Sequence, residues 1–93
     1  MEIVVETGTY QAISSSTAVL SGPGYILGIF VTAASDTPTL KVWDSLSAAG
    51  GVVADTWTPA AGTFYPIPAR VGTGIYVTIS GTVACTVIYK TSP

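Results

Sequence analysis

Hydrophobic positions come in short runs of β-branched and aromatic residues, interrupted by clusters of Gly, Pro, Ser, Thr and Asp. The interruptions recur roughly every ten residues, the rhythm of strands and turns in a sandwich or barrel. No window repeats with the helical period of about 3.6 residues, so no long helix is expected. The alternation predicts strands over Glu2–Glu6, Tyr10–Ile13, Thr17–Leu20, Tyr25–Ala34, Thr39–Asp44, Val52–Trp57, Thr63–Ile67, Gly74–Ser80 and Val83–Lys90. Breaks are predicted at Ser21–Gly24, Ser35–Pro38, Thr58–Gly62 and Ser80–Thr82, and Ser45–Gly51 reads as a loop. Asn is absent, which leaves the turns to Gly, Pro, Asp and Ser.

Some strands carry positional information. Glu2 and Glu6 flank Ile3 and Val5 in strict alternation, as in a strand with one wet face. Pro66 and Pro68 lack a ladder donor, which sends their strand to a sheet edge. The whole chain, 1–93, is expected to form one all-β domain: a compact antiparallel β-sandwich, short and jelly-roll-like, with about eight strands.

The end of the chain supports a more detailed expectation. A two-residue turn at Gly81–Thr82 with Gly first would be type II′ and would fix a hairpin register. Ser80 then faces Val83 and Ile79 faces Ala84. One face carries Ile75, Val77, Ile79, Ala84 and Ile88; the other carries Tyr76, Thr78, Cys85, Val87 and Tyr89. Both faces are apolar, and Tyr25–Ala34 has the same two-sided character. Either other parts of the chain cover the second face, or a neighbouring subunit meets it. Tyr76 and Tyr89 are the interface candidates on that face.

Charge sharpens this picture. Charged residues make up 9% of the chain, against about 25% in an ordinary soluble domain, and mean hydropathy is +0.59. A domain this small has a thin core, and one cysteine cannot form an internal disulfide, so oligomerisation is the expected support. Net charge is −2, with Lys41, Arg70 and Lys90 as the only cations, which argues against nucleic acid as a partner. The longest apolar run, Tyr25–Ala34, is about half what a bilayer-spanning helix needs, so no membrane role is expected. Acidic residues stand near the N-terminus where a signal peptide carries positive charge, so synthesis and retention in a cytoplasm are expected.

Catalytic groups are scarce. There is no His, and neither a nucleophile elbow nor a phosphate-loop or dinucleotide fingerprint occurs. Gly22-Pro23-Gly24 and Gly72-Thr73-Gly74 read as turns, because no helix follows them to hold a phosphate. Asp44 and Asp55 are the one conceivable carboxylate pair, though isolated Asp residues at strand ends are usually turn formers. Cys85, inside Val83-Ala84-Cys85-Thr86-Val87, reads as a buried hydrophobe. No enzyme activity, cofactor or metal is expected. Trp43 and Trp57 are the remaining binding candidates. Each alternates with apolar neighbours, which points it outward beside Lys41 or Asp55, as a sugar-stacking platform or a protein-interface anchor; the alternative is a core or edge-covering role.

Three stretches together resemble a family. Ser21-Gly22-Pro23-Gly24-Tyr25-Ile26-Leu27-Gly28-Ile29 leads into a strand; Leu40-Lys41-Val42-Trp43-Asp44-Ser45 precedes a Gly-containing loop and Val52-Val53-Ala54. Gly74-Ile75-Tyr76-Val77-Thr78-Ile79-Ser80-Gly81-Thr82 and, after a spacer, Val87-Ile88-Tyr89 complete the pattern. From about Ser14 onward it resembles the small β-sandwich virion proteins of tailed bacteriophages, the head decoration (cement) proteins and related minor structural proteins. The resemblance implies a non-enzymatic protein, made in the host cytoplasm and located in the virion. It would bind the major capsid protein or another virion protein and stabilise the assembled head, often as a homotrimer. A tail or neck accessory protein and a glycan-binding β-sandwich module are the alternatives.

Overall fold

Six strands organise residues 8–91, the part of the chain that the computed structural model describes. They are β1 (Thr9–Ile13), β2 (Thr17–Ser21), β3 (Gly24–Asp44), β4 (Gly51–Trp57), β5 (Thr63–Val71) and β6 (Gly74–Thr91). Every pairing between them is antiparallel. The strand predicted over Glu2–Glu6 lies outside the described residues.

The frame is a ribbon of the two longest strands, β3 with 21 residues and β6 with 18. They stay paired from Gly24 opposite Thr91 to Trp43 opposite Tyr76. Midway the register slips: Ser35 faces Thr82 and Thr39 faces Ser80, so Asp36, Thr37 and Pro38 stand against Gly81 alone. Asp36 and Thr37 adopt left-handed φ values of 60° and 56°, and Gly81 one of 78°. A bulge of this kind bends a paired ribbon without breaking it.

On one side of the bend β1 pairs with β6 and β5 with β3; on the other, β2 pairs with β6 and β4 with β3. The halves therefore run β1-β6-β3-β5 and β2-β6-β3-β4, the order of a jelly roll in which each long strand serves both sheets. They share one core, Ile13, Ile26, Ile29, Val31, Val71, Val83, Cys85 and Val87 from the first half against Val19, Leu20, Leu40, Val42, Ile75 and Val77 from the second. A sheet buries a face this completely only against another layer.

The all-β antiparallel expectation holds, but the described residues form six strands, not about eight. Tyr25–Ala34 and Thr39–Asp44 are one strand, and so are Gly74–Ser80 and Val83–Lys90. Gly81–Thr82 makes no hairpin: Ser80 pairs with Thr39 and Thr82 with Ser35, both on β3. Turn-forming residues at facing positions of two paired strands bent both strands together. Pro66 and Pro68 do lie on an edge strand, since among the described residues β5 pairs only with β3.

Candidate functional site

Because β6 continues through Gly81, its odd-numbered positions point inward along its length. Ile75, Val77, Val83, Cys85 and Val87 are buried, and Ile79 and Tyr89 pack against them. The predicted shared face of Tyr76 and Tyr89 therefore does not form. Tyr76 belongs to the outer face, whereas Tyr89 packs against the core. Cys85 and Val87 are core residues as well, which removes most of the apparent second apolar face. Burial pushes the Cys85 thiol up to about 11, which keeps it protonated and unreactive.

The two tryptophans also part company. Trp43 stands on the outer face of β2-β6-β3-β4, directly across from Tyr76 on β6 and from Val52 on β4. Its indole N–H donates to Thr78 Oγ1 at 2.7 Å, and the Lys41 ammonium lies 4.3 Å from its ring centroid. Lys41 is in turn 3.5 Å from Asp55. The ring is thus fixed on the sheet, with one face against a cation, rather than open on both faces to a sugar. Ala18, opposite Tyr76, extends the row to the edge.

Trp57 is not the outward platform its alternation suggested. It packs against the core at the open side of the sandwich, where edge strands β4 and β5 meet. Its ring meets Tyr65 edge-on, with centroids 5.5 Å apart. With Ala54, Tyr65, Pro66 and Ile67 it lines an open cleft of about 190 Å³. The indole Nε1 is buried with no acceptor among the described residues, an arrangement that costs about 1–3 kcal/mol.

The two carboxylates, Asp44 and Asp55, serve different ends. Asp44 Oδ1 accepts from the backbone N–H groups of Thr73 at 2.8 Å, Gly72 at 3.1 Å and Gly74 at 3.3 Å. The glycine-rich turn between β5 and β6 has thus spent its donors on a side chain of its own chain. Those bonds, Thr73 first and then Gly72, hold the Asp44 carboxyl below the usual carboxylate range. Asp55 takes the Thr56 N–H and the Lys41 ammonium instead. Among the described residues no three His, Cys, Asp or Glu side chains cluster as metal ligands would.

A surface that alternation alone did not single out lies on the outer face of β1-β6-β3-β5. One row across the strands is Tyr10, Ile88, Gly28 and Pro66; the next is Ala12, Thr86, Phe30 and Phe64. Tyr10 is 74% exposed, Phe64 45% and Phe30 37%. Phe64 folds its ring over Gly28, where any Cβ would collide with it. The clue in the sequence was β5, whose Phe64, Pro66, Pro68 and Arg70 alternate with the inward Tyr65, Ile67, Ala69 and Val71. Two parity shifts on β3 hid the rest, one between Ile26 and Gly28 and one between Val31 and Ala33. A register slip between Ile26 and Gly28 lets Ile26 and Ile29, three positions apart, both point inward, and so sends Phe30 out.

Compared with family models, curated proteins and solved structures, the chain matches none.

Proposed function

We propose that this protein is a non-enzymatic structural component that attaches to an assembled protein surface, as a head decoration protein of a tailed bacteriophage does. The observation that carries the reading is the placement of aromatic side chains on the outer faces of both half-sheets. Tyr76 and Trp43 lie on one, and Tyr10, Phe30 and Phe64 on the other. An isolated sandwich usually reserves its apolar residues for the inner faces and leaves the outer ones polar; aromatic anchors on a charge-poor surface are the composition of a protein interface. The bent ribbon gives a thin, two-faced body of 42 × 33 × 18 Å, suited to sitting between neighbours in a lattice. The virion-protein resemblance supplies the partner, the major capsid protein or another virion protein, together with copies of this chain. Retention would come from many weak contacts acting together.

The test is reconstitution. Purified protein is added to particles assembled without it, and copy number and heat resistance are measured. Saturation at a copy number matching a symmetric set of head positions, with failure at higher temperature, supports decoration. A few copies per particle moves the site to the neck or tail, and no association refutes attachment.

A further inference from the structure

Among the described residues, charge on the outer face of β1-β6-β3-β5 stands only at its two ends. At one end a row across the strands reads Lys90, Tyr25 and Arg70, since Tyr25 on β3 faces both cations. The two aromatic rows follow, then Ala84 opposite Ala33, and then Thr82 opposite Ser35. At that far end the Thr82 hydroxyl donates to Asp36 Oδ2 at 2.9 Å, which holds the carboxylate on this same face. Arg70 makes no ion pair among the described residues, where the pair found is Lys41 with Asp55. Phe30 and Thr86 lie at the centre of the sequence positive, apolar, apolar, apolar, negative.

That order is self-complementary under a two-fold rotation. We propose that this face packs against the same face of a second copy, about a two-fold axis lying between the sheets and across the strands. The rotation reverses strand direction, so the Arg70 end of one copy meets the Asp36 end of the other, and Phe30 meets its own counterpart near the axis. A two-fold contact requires such a self-complementary patch. A face that carried one sign of charge, or charge at one end only, would not meet the requirement. Four strands at about 4.8 Å spacing and some eight residues at about 3.3 Å give a patch of roughly 500 Å² per copy. The pair would bury about 1,000 Å², just under the range of stable complexes, so the dimer is weak and concentration-dependent, with a dissociation constant on the order of 10 µM.

This inference goes beyond the proposed attachment and rests on the same view of the outer faces as contact surfaces. It leaves the Trp43–Tyr76 face for the lattice, so the two readings fail separately. Sedimentation equilibrium of the full chain from about 1 to 500 µM reads the association directly, a range that brackets the expected constant. The wild type is expected to shift from monomer to dimer and no further. Tyr10→Ser, a truncation at the most exposed aromatic, should weaken the dimer at least tenfold without altering the circular dichroism spectrum. Arg70→Glu and Asp36→Lys should each be monomeric, and an equimolar mixture of the two should dimerise again, because both contacts between positions 70 and 36 then pair opposite charges. A wild-type monomer throughout the range overturns the proposal. So does a trimer, or a dimer indifferent to all three variants. Loss of particle binding by Tyr10→Ser, with the free protein monomeric, would give this face to the lattice and equally overturn it.

Discussion

Replacing Asp44 with Ala removes the acceptor that three backbone N–H groups share at the turn between β5 and β6. A hydrogen bond to a charged group contributes about 1.5–3 kcal/mol, so a simple sum over three would reach roughly 5–9 kcal/mol. That sum is too large here. The Gly72 and Thr73 donors sit on exposed residues, and water takes the place of the carboxylate. A loss of about 2 kcal/mol is the better figure, worth roughly 10 °C in melting temperature for a domain this size. Thermal unfolding followed by circular dichroism at pH 7 measures it, and pH supplies the control. The carboxyl is held below its ordinary value in the folded protein, so its contribution is complete above the unfolded pKa of about 3.9 and fades as pH falls through the folded value. The gap between wild type and Asp44→Ala should therefore close in acid. Asp55, also held low, by the Thr56 N–H and then Lys41, titrates in both proteins and cancels in the difference. Melting temperatures within about 2 °C at pH 7, or a gap that does not narrow at all as pH falls below about 3.9, would refute the capping role.

Gly81→Ala should cost at least about 2 kcal/mol in urea unfolding, since φ is 78° and the new Cβ would meet the Asp36 and Thr37 carbonyl oxygens; a neutral result would mean the bend is misplaced. Trp57→Phe should stay within about 1 kcal/mol of wild type, because deleting the orphaned indole N–H offsets the lost ring area; a loss above about 3 kcal/mol would show that the N–H has a partner after all. Cys85 should react with a thiol reagent at pH 8 only as fast as the protein unfolds, and rapid labelling in native buffer would contradict its burial.

Strand positions were legible because alternation and turn residues are local signals. β1, β2 and β4 each begin within one residue of the predicted start. Continuity was not legible. Ser35-Asp36-Thr37-Pro38 and Ser80-Gly81-Thr82 carry the residues of chain reversals, and only their juxtaposition on paired strands makes them a shared bend. A Thr at positive φ is rare enough that no single-chain rule proposes it. The error then spread to the site. With a hairpin at Gly81, Cys85 and Val87 fall on the outer face beside Tyr89; with a through strand they enter the core. Trp43 and Tyr76 were singled out one by one, and it took the register to set them side by side. The Tyr10–Phe30–Phe64 surface draws on three strands far apart in the chain, and pairing alone brings them together.

The attachment claim is tested most directly by the occupancy of Tyr76→Lys on particles assembled without the native protein. Tyr76 is a half-buried outer-face residue beside Trp43, so the variant should fold, with an unchanged circular dichroism spectrum. A lysine forced into a dry contact typically costs several kcal/mol. Copy number per particle should therefore fall from a saturating symmetric set to background, and the gain in heat resistance should vanish. Wild-type occupancy by the folded variant would contradict the account.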